Sequence, residues 1–166
     1  FLNANVMSDA ERKFIDENLK KNGNTLVWIY TAGISNGKKF LPKFSEELTG
    51  MRLKYSGVPR NYQVNKCNFS DKLSKNLPLN MGCADVYRRY FDMRDSNKNS
   101  SYFMPCFEII DKKATVLGKF NDGSAALAVK RFDNWQSVLC AAPGGLDAEL
   151  LNNIAVQSNA YTVSSP

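Results

Sequence analysis

The segment YTAG at residues 30–33 carries the side chain best placed for covalent chemistry. It follows directly on the apolar run at residues 26–29. Enzymes often present a nucleophile at a sharp turn after a buried strand, and the Thr31 hydroxyl has this position. In folds with a parallel sheet, ligands bind in the crevice beyond the carboxyl ends of the strands. We therefore predict that Tyr30, Thr31 and Gly33 line a ligand-binding crevice.

The sequence contains no histidine, which limits what Thr31 can do. Ser-His-Asp and Cys-His mechanisms need an imidazole to carry a proton near neutral pH, so both are excluded. A hydroxyl without a neighbouring base is a poor nucleophile. We therefore predict that Thr31 is structural and that the chain has no catalytic residue. Since histidine is also the commonest metal ligand, we predict neither a metal site nor a cofactor.

Carboxylate pairs could supply a general acid and a general base without histidine. The candidates by position are Glu46 with Glu47, Asp92 with Asp95, and Glu108 with Asp111. Two adjacent residues on a short helix point apart, and nothing in the spacing brings the other pairs together. Solvated surface charge is the favoured interpretation for each pair.

Aromatic side chains could instead form a surface on which a sugar ring stacks. The candidates are Trp28, Tyr30, Tyr55, Tyr62 and Trp135. Trp28 lies in a strand that reads as buried, so a core position is favoured. Trp135 follows a turn, and we predict it as an interface residue that packs on a neighbouring subunit.

The net charge of +6 does not indicate a nucleic-acid-binding protein. The basic residues occur as scattered pairs, without a stripe or a groove-reading motif. No apolar run approaches the roughly 18 residues that span a bilayer. We therefore predict neither nucleic acid nor membrane as a partner.

The four cysteines form no C-x-x-C pair, which argues against a zinc or thioredoxin-type site. Cys106 and Cys140 lie in apolar runs and are predicted to be buried thiols. A disulfide between Cys67 and Cys83 stays open. The compartment, whether cytoplasmic, periplasmic or secreted, therefore stays open too.

The first 31 residues are typical of a β-α-β unit. A short strand is predicted over residues 1–7, and Ser8 and Glu11 form a capping box that begins a helix. The nearly continuous apolar strand at residues 25–30 indicates burial on both faces. Such burial is typical of a parallel sheet that is covered by helices.

The last third of the chain predicts a run of strands and a final helix. Asp122 and Gly123 form the structural turn of a hairpin, because Asp-Gly accepts positive φ at low cost. A third strand is predicted over residues 135–141 and a helix over residues 147–158. The polar stretch at residues 65–101 gives only a weak signal.

Two stretches resemble the β-galactosidase trimerisation domain of glycoside hydrolase family 42 and its relatives. In NGNTLVWIYTAGIS and the following FSEELTGM, the family pattern falls on Tyr30, Gly33, Ile34, Leu48 and Gly50. In GKFNDGSAALAVKRFDNWQSVLCAAPGGLDAELLNNIA, it falls on Asp122, Gly123, Ala125 and Trp135. The two stretches cover about half of the chain, whereas residues 57–105 match no family.

The resemblance implies a flavodoxin-like, class I glutamine amidotransferase-like α/β fold. Such a fold has a mostly parallel sheet with helices on both faces, here with a C-terminal β-hairpin. In catalytic amidotransferases the turn after this strand carries Gly-x-Cys-x-Gly, and a His and a Glu complete the triad. Thr31 would take the place of the cysteine. The family domain has a further β-α unit before residues 1–7, so we expect residues 1–166 to form a single, partial domain without that N-terminal unit.

The function that the resemblance implies is that of a non-catalytic assembly or accessory domain of a β-galactosidase-like glycoside hydrolase. In that family the hydrolytic acids lie on a separate barrel domain. The expected partners are further copies of the chain or the catalytic barrel of the same protein, with carbohydrate as a candidate ligand. Two alternatives stay open: a stand-alone hydrolase of amidotransferase-like fold, and a carbohydrate-binding module.

Overall fold

The computed structural model describes most of the chain in four segments: residues 4–61, 63–81, 102–143 and 146–158. Helix α1 (Asp9–Asn18) begins where the sequence predicts a capping box. The Glu11 carboxylate accepts from the Ser8 N–H at 2.7 Å, and the Glu11 N–H donates to the Ser8 hydroxyl at 3.3 Å. The chain then enters strand β1 (Asn24–Ile29) through the left-handed residues Asn22 and Gly23.

Helix α2 (Pro42–Thr49) starts at a proline and is followed by Gly50 as its C-cap. Pro42 fits the first turn because its missing N–H would have no helical partner there. Gly50 has φ 69°, and a Cβ at this position would lie 2.6 Å from the Phe132 ring. Glycine is therefore required at Gly50 both for the backbone conformation and for the close approach of Phe132.

The remaining elements are mostly short strands. In chain order they are β2 (Leu53–Ser56), β3 (Arg60–Asn61), β4 (Val64–Lys66), a 3-10 helix (Lys72–Ser74), β5 (Asn80–Met81), β6 (Tyr102–Phe103), β7 (Cys106–Ile109), β8 (Thr115–Lys119), β9 (Ala125–Arg131), β10 (Trp135–Cys140) and helix α3 (Ala148–Gln157). Six strands form one sheet in the order β1-β10-β9-β8-β4-β5. Strand β2 pairs with β7 and strand β3 with β6 in two small sheets.

The large sheet has a hydrophobic core on each face. Leu26, Trp28 and Leu139 point into one core, which α1, α2 and β7 cover. Val138 and Cys140 point into the other core, which α3 and the 3-10 helix cover. Neighbouring residues of a strand point to opposite faces, so strands between two cores are apolar at nearly every position.

The predicted flavodoxin-like, amidotransferase-like fold with its mostly parallel sheet is wrong. Only β1 and β10 pair in parallel, while β10-β9, β9-β8, β8-β4 and β4-β5 are antiparallel. Within the described segments there are three α-helices, too few for a doubly wound sheet. Short turns join β8 to β9 and β9 to β10, and such turns permit only antiparallel neighbours. The apolar β1 reflects two cores rather than a parallel sheet.

The described part of the predicted strand at residues 1–7 forms no regular strand, but backbone hydrogen bonds join Ala4, Asn5 and Met7 to Gly33 and Ser35 in the segment after β1. Over residues 4–7 only Val6 forms a bridge, and its partner is Ser35 rather than a residue of β1. The expectation of a missing β-α unit depended on the amidotransferase-like fold and loses its basis with it. No helix among the described residues is long and apolar enough to cross a membrane.

Candidate functional site

The predicted crevice residues lie in a tight turn at the end of β1. Tyr30 has φ 59°, a left-handed conformation that costs a residue with a side chain roughly 1–2 kcal/mol. Its N–H donates to the Cys140 carbonyl at 2.6 Å, which fastens the turn to the end of β10. The turn is thus sharp and strained, but the strained residue is Tyr30 and not Thr31, the candidate nucleophile.

The Tyr30 side chain leaves the turn toward the segment between β6 and β7. Its hydroxyl donates to the Pro105 carbonyl at 2.6 Å. Its ring packs edge to face on Phe103, with the ring centroids 5.7 Å apart. The phenol therefore joins the turn to a neighbouring segment, and its donor is already in use.

The Thr31 side chain is buried, with 4% of its surface exposed. Its hydroxyl donates to the Asn5 side-chain oxygen at 2.8 Å. An amide oxygen accepts a hydrogen bond but does not take up a proton near neutral pH. The observed partner of Thr31 therefore stabilises the hydroxyl without activating it. The equivalence of Thr31 with the amidotransferase cysteine depended on the rejected fold and loses its basis.

Gly33 stands where two other parts of the chain approach the turn. It has φ 63°, and a Cβ there would lie 2.4 Å from Leu48 Cδ2 and 3.2 Å from Arg12 Nη2. The Arg12 guanidinium donates to the carbonyls of Gly33, Phe44 and Met7. Sequence reasoning missed Arg12, although its place three residues before the buried Ile15 put both on one helix face.

Tyr30, Thr31 and Gly33 lie together in this turn because they are near neighbours in the chain. Their surroundings are filled by side chains of the same chain: Asn5, Arg12, Leu48 and Phe103. The ligand-binding role of the three residues stays a prediction.

Asp122 and Gly123 form the turn between β8 and β9. Gly123 has φ 85°, and the Asp122 carboxylate accepts from the Ser124 N–H at 2.9 Å. The Asp122 carboxylate also accepts from Arg60 Nε at 2.9 Å, and the guanidinium lies 5.2 Å from the Phe120 ring centroid. Burial raises the pKa of Asp122, but the hydrogen bonds from Ser124 and Arg60 outweigh it and hold this pKa below its ordinary value.

Trp135 packs on residues of its own chain. Its ring stacks on Phe132 at a centroid distance of 4.2 Å and an angle of 1°. The Lys20 ammonium lies 5.3 Å from the same ring. Trp135 is half-buried, so part of it stays accessible, and its interface role stays a prediction. Trp28 is fully buried, as predicted, and its indole N–H donates to the Ser137 hydroxyl at 3.0 Å.

The candidate carboxylates that are described are engaged with donors. Glu108 lies 2.9 Å from Lys54 Nζ, and Glu46 accepts from the Leu53 N–H at 2.7 Å. Asp111 accepts from Lys130 Nζ at 2.7 Å. Asp92 and Asp95 lie outside the described residues, as do Tyr62 and Cys83. In the described segments no group of three or more acidic or cysteine side chains is placed to hold a metal ion.

The described cysteines, Cys67, Cys106 and Cys140, are free thiols. Cys106 and Cys140 are fully buried, as predicted. Burial raises the pKa of the Cys140 thiol to about 12, so it stays protonated and unreactive. Cys67 is exposed, and Cys83, its candidate disulfide partner, lies outside the described residues.

No protein-family model and no curated protein matches this chain. Among solved structures the chain is similar to the β-galactosidase from Bacillus circulans sp. alkalophilus, with a TM-score of 0.61 and 15% sequence identity. The similarity covers 95% of this chain and 22% of the β-galactosidase chain. This chain therefore spans about a fifth of the length of that protein. At this identity the similarity shows a shared fold.

Proposed function

We propose that this chain is a non-catalytic accessory domain of a β-galactosidase-like protein and that it serves assembly, as a trimerisation domain does. The observation that carries the proposal is the match of nearly the whole chain to a fraction of a much longer β-galactosidase chain. A fold does not determine a function, so the proposal also needs support from the site.

The turn after β1 supports a role without chemistry. A threonine nucleophile needs a neighbouring base to take its proton. The Thr31 hydroxyl is buried against the Asn5 amide, and the sequence contains no histidine. The turn therefore serves to pack β1 against α1 and α2, through the contacts of Gly33 with Arg12 and Leu48.

An apolar groove beside α1 supports a role in assembly. Val6 and Phe14 line this groove with 62% and 58% of their surfaces exposed. Ala4, Ile15 and Leu19 continue the apolar lining. Exposed apolar patches of this kind mark protein interaction sites. We propose a second copy of the chain as the partner at this groove, and the catalytic barrel of the same protein as the other candidate.

The test is to measure the molar mass of the chain by light scattering over a range of concentrations. We expect an oligomer whose population rises with concentration. Phe14→Ser should weaken the affinity of self-association at least about tenfold, because a central apolar contact is lost. Val156→Ser is the matched control, since Val156 is 61% exposed on a different helix, α3.

Three outcomes would contradict the proposal. A chain that stays monomeric and does not bind a β-galactosidase barrel has no role in assembly. Equal effects of the two variants would mean that the groove is not the contact. Turnover of an aryl β-galactoside or of glutamine by the purified chain, lost in Glu108→Gln, would make it an enzyme.

A further inference from the structure

A second cleft lies on the side of the molecule where α2 ends and β7 turns into β8. It has a volume of about 440 Å³, and small-molecule pockets typically measure about 300–1,000 Å³. Gly50 and the buried Met51 contribute its apolar part. The space is therefore large enough for a molecule of the size of a monosaccharide or disaccharide.

An ion pair between the buried Asp111 and the half-buried Lys130 forms one wall of this cleft. Lys130 Nζ lies 2.7 Å from an Asp111 carboxylate oxygen and 2.6 Å from the Gly50 carbonyl. Asp111 also accepts from the backbone N–H groups of Lys113 at 2.9 Å and Arg52 at 3.2 Å. The Asp111 charge is thus matched by donors of the chain, and this wall presents no unpaired anion to a ligand.

The lining of the cleft has more positive than negative side chains. It has four cations (Arg52, Lys112, Lys113, Lys130) and three carboxylates (Glu46, Glu47, Asp111). Both glutamates have a donor in the chain. The Glu46 carboxylate accepts from the Leu53 N–H at 2.7 Å, and Glu47 Oε1 lies 3.6 Å from Lys43 Nζ in an exposed ion pair.

The basic side chains at the rim of the cleft, in contrast to Glu47, have no partner of opposite charge within the part of the chain that the structure describes. Arg52, Lys112 and Lys113 are exposed, and none of them has an ion pair among the described residues. Cations that converge on a concave surface raise the local potential and attract counter-ions. An arginine can also hold two oxygens of a carboxylate, sulfate or phosphate at once.

We propose that this cleft binds the oxyanion group of a small polar molecule. Arg52 holds two of the oxygens, and Lys112 and Lys113 neutralise the charge. The same oxyanion chemistry occurs in free inorganic anions and in acidic sugars. This site is separate from the apolar groove beside α1.

The test is calorimetry with the full chain at low salt, using sodium sulfate, galacturonate, galactose 6-phosphate and neutral galactose as separate titrants. The double variant K112Q/K113Q should bind the preferred anion about tenfold more weakly than the wild type. The matched control is K38Q/K39Q, since Lys38 and Lys39 are another adjacent exposed pair. Both double variants should keep the thermal stability of the wild type, because the four side chains are exposed.

The comparison of titrants identifies the source of the anion. Tighter binding of an acidic sugar than of sulfate supports a sugar ligand, and the reverse order supports an inorganic anion. The proposal is overturned if no anion gives saturable binding, or if the two double variants weaken binding equally. Binding of neutral galactose as tight as that of galacturonate would also overturn it.

Discussion

Gly33 is a residue at which two separate requirements meet. Its positive φ favours glycine, and the space beside its Cα is occupied by Leu48 and Arg12. Gly23 meets only the first requirement, because it has φ 74° but no atom lies within 4 Å of the position that a Cβ would take. The two glycines therefore allow the backbone cost of a side chain to be separated from the steric cost.

We expect Gly33→Ala to lower the free energy of unfolding by about 2–4 kcal/mol, because the new methyl group must displace Leu48 as well as adopt positive φ. Gly23→Ala should cost only about 1 kcal/mol, the backbone contribution alone. Urea denaturation of both variants measures the difference. Equal losses in the two variants would show that the packing of Leu48 against the turn is not as described.

At the scale of elements, Arg12 joins α1 to the turn after β1 and to α2. Its guanidinium donates to the backbone carbonyls of Met7 just before α1, Gly33 in the turn and Phe44 in α2. The guanidinium also lies 4.9 Å from the Phe44 ring centroid. One charged side chain therefore ties the backbones of three segments together.

Replacing Arg12 should loosen this packing. We expect Arg12→Ala to reduce the free energy of unfolding by about 2–3 kcal/mol, since hydrogen bonds from a charged donor are lost. Lys13→Ala on the same helix should change it by less than about 0.5 kcal/mol, because Lys13 makes only an exposed ion pair with Glu17 at 3.8 Å. Denaturant midpoints of the two variants provide the measurement, and a similar loss in both would contradict the role of Arg12.

The elements were largely predictable, whereas their arrangement was not. Ser8 with Glu11, and Asp122 with Gly123, are local signals whose physics depends on a few neighbouring residues, so the sequence located these boundaries. The apolar β1 was ambiguous, because Trp28 faces one core and Val27 packs against the other. A strand between two cores has the same composition in a mixed sheet as in a parallel sheet.

The site was predictable only in part, for a similar reason. The turn at residues 30–33 was visible because its residues are consecutive. Its environment depends on Asn5, Arg12 and Leu48, which the fold brings from three other segments. The cleft between α2 and β7 likewise combines Arg52 with Lys112 and Lys113, about 60 residues apart in the chain. No periodicity in the sequence reports such a juxtaposition.

At the scale of the whole molecule, the partly buried pair of Lys130 and Asp111 links β9 to the end of β7. Burial raises the pKa of Asp111, but hydrogen bonds from Lys130, Lys113 and Arg52 outweigh it, so this pKa lies below its ordinary value. A carboxyl group with a lowered folded-state pKa stabilises the fold above its unfolded-state pKa of about 3.9. That contribution is lost as the pH falls through the folded-state pKa. Asp122 acts in the same direction.

Acid should therefore destabilise the protein below about pH 4, and Asp111→Asn should remove part of this dependence. At pH 7 the variant should lose about 1–2 kcal/mol, because the partly buried Lys130 charge loses its partner but keeps its hydrogen bond to the Gly50 carbonyl. Asp133→Asn is the control, since Asp133 is an exposed turn residue. Urea denaturation at pH 7 and at pH 3 should show a smaller difference between the two pH values for Asp111→Asn than for the control. If both variants keep the acid sensitivity of the wild type, the pair of Asp111 and Lys130 does not link pH to stability.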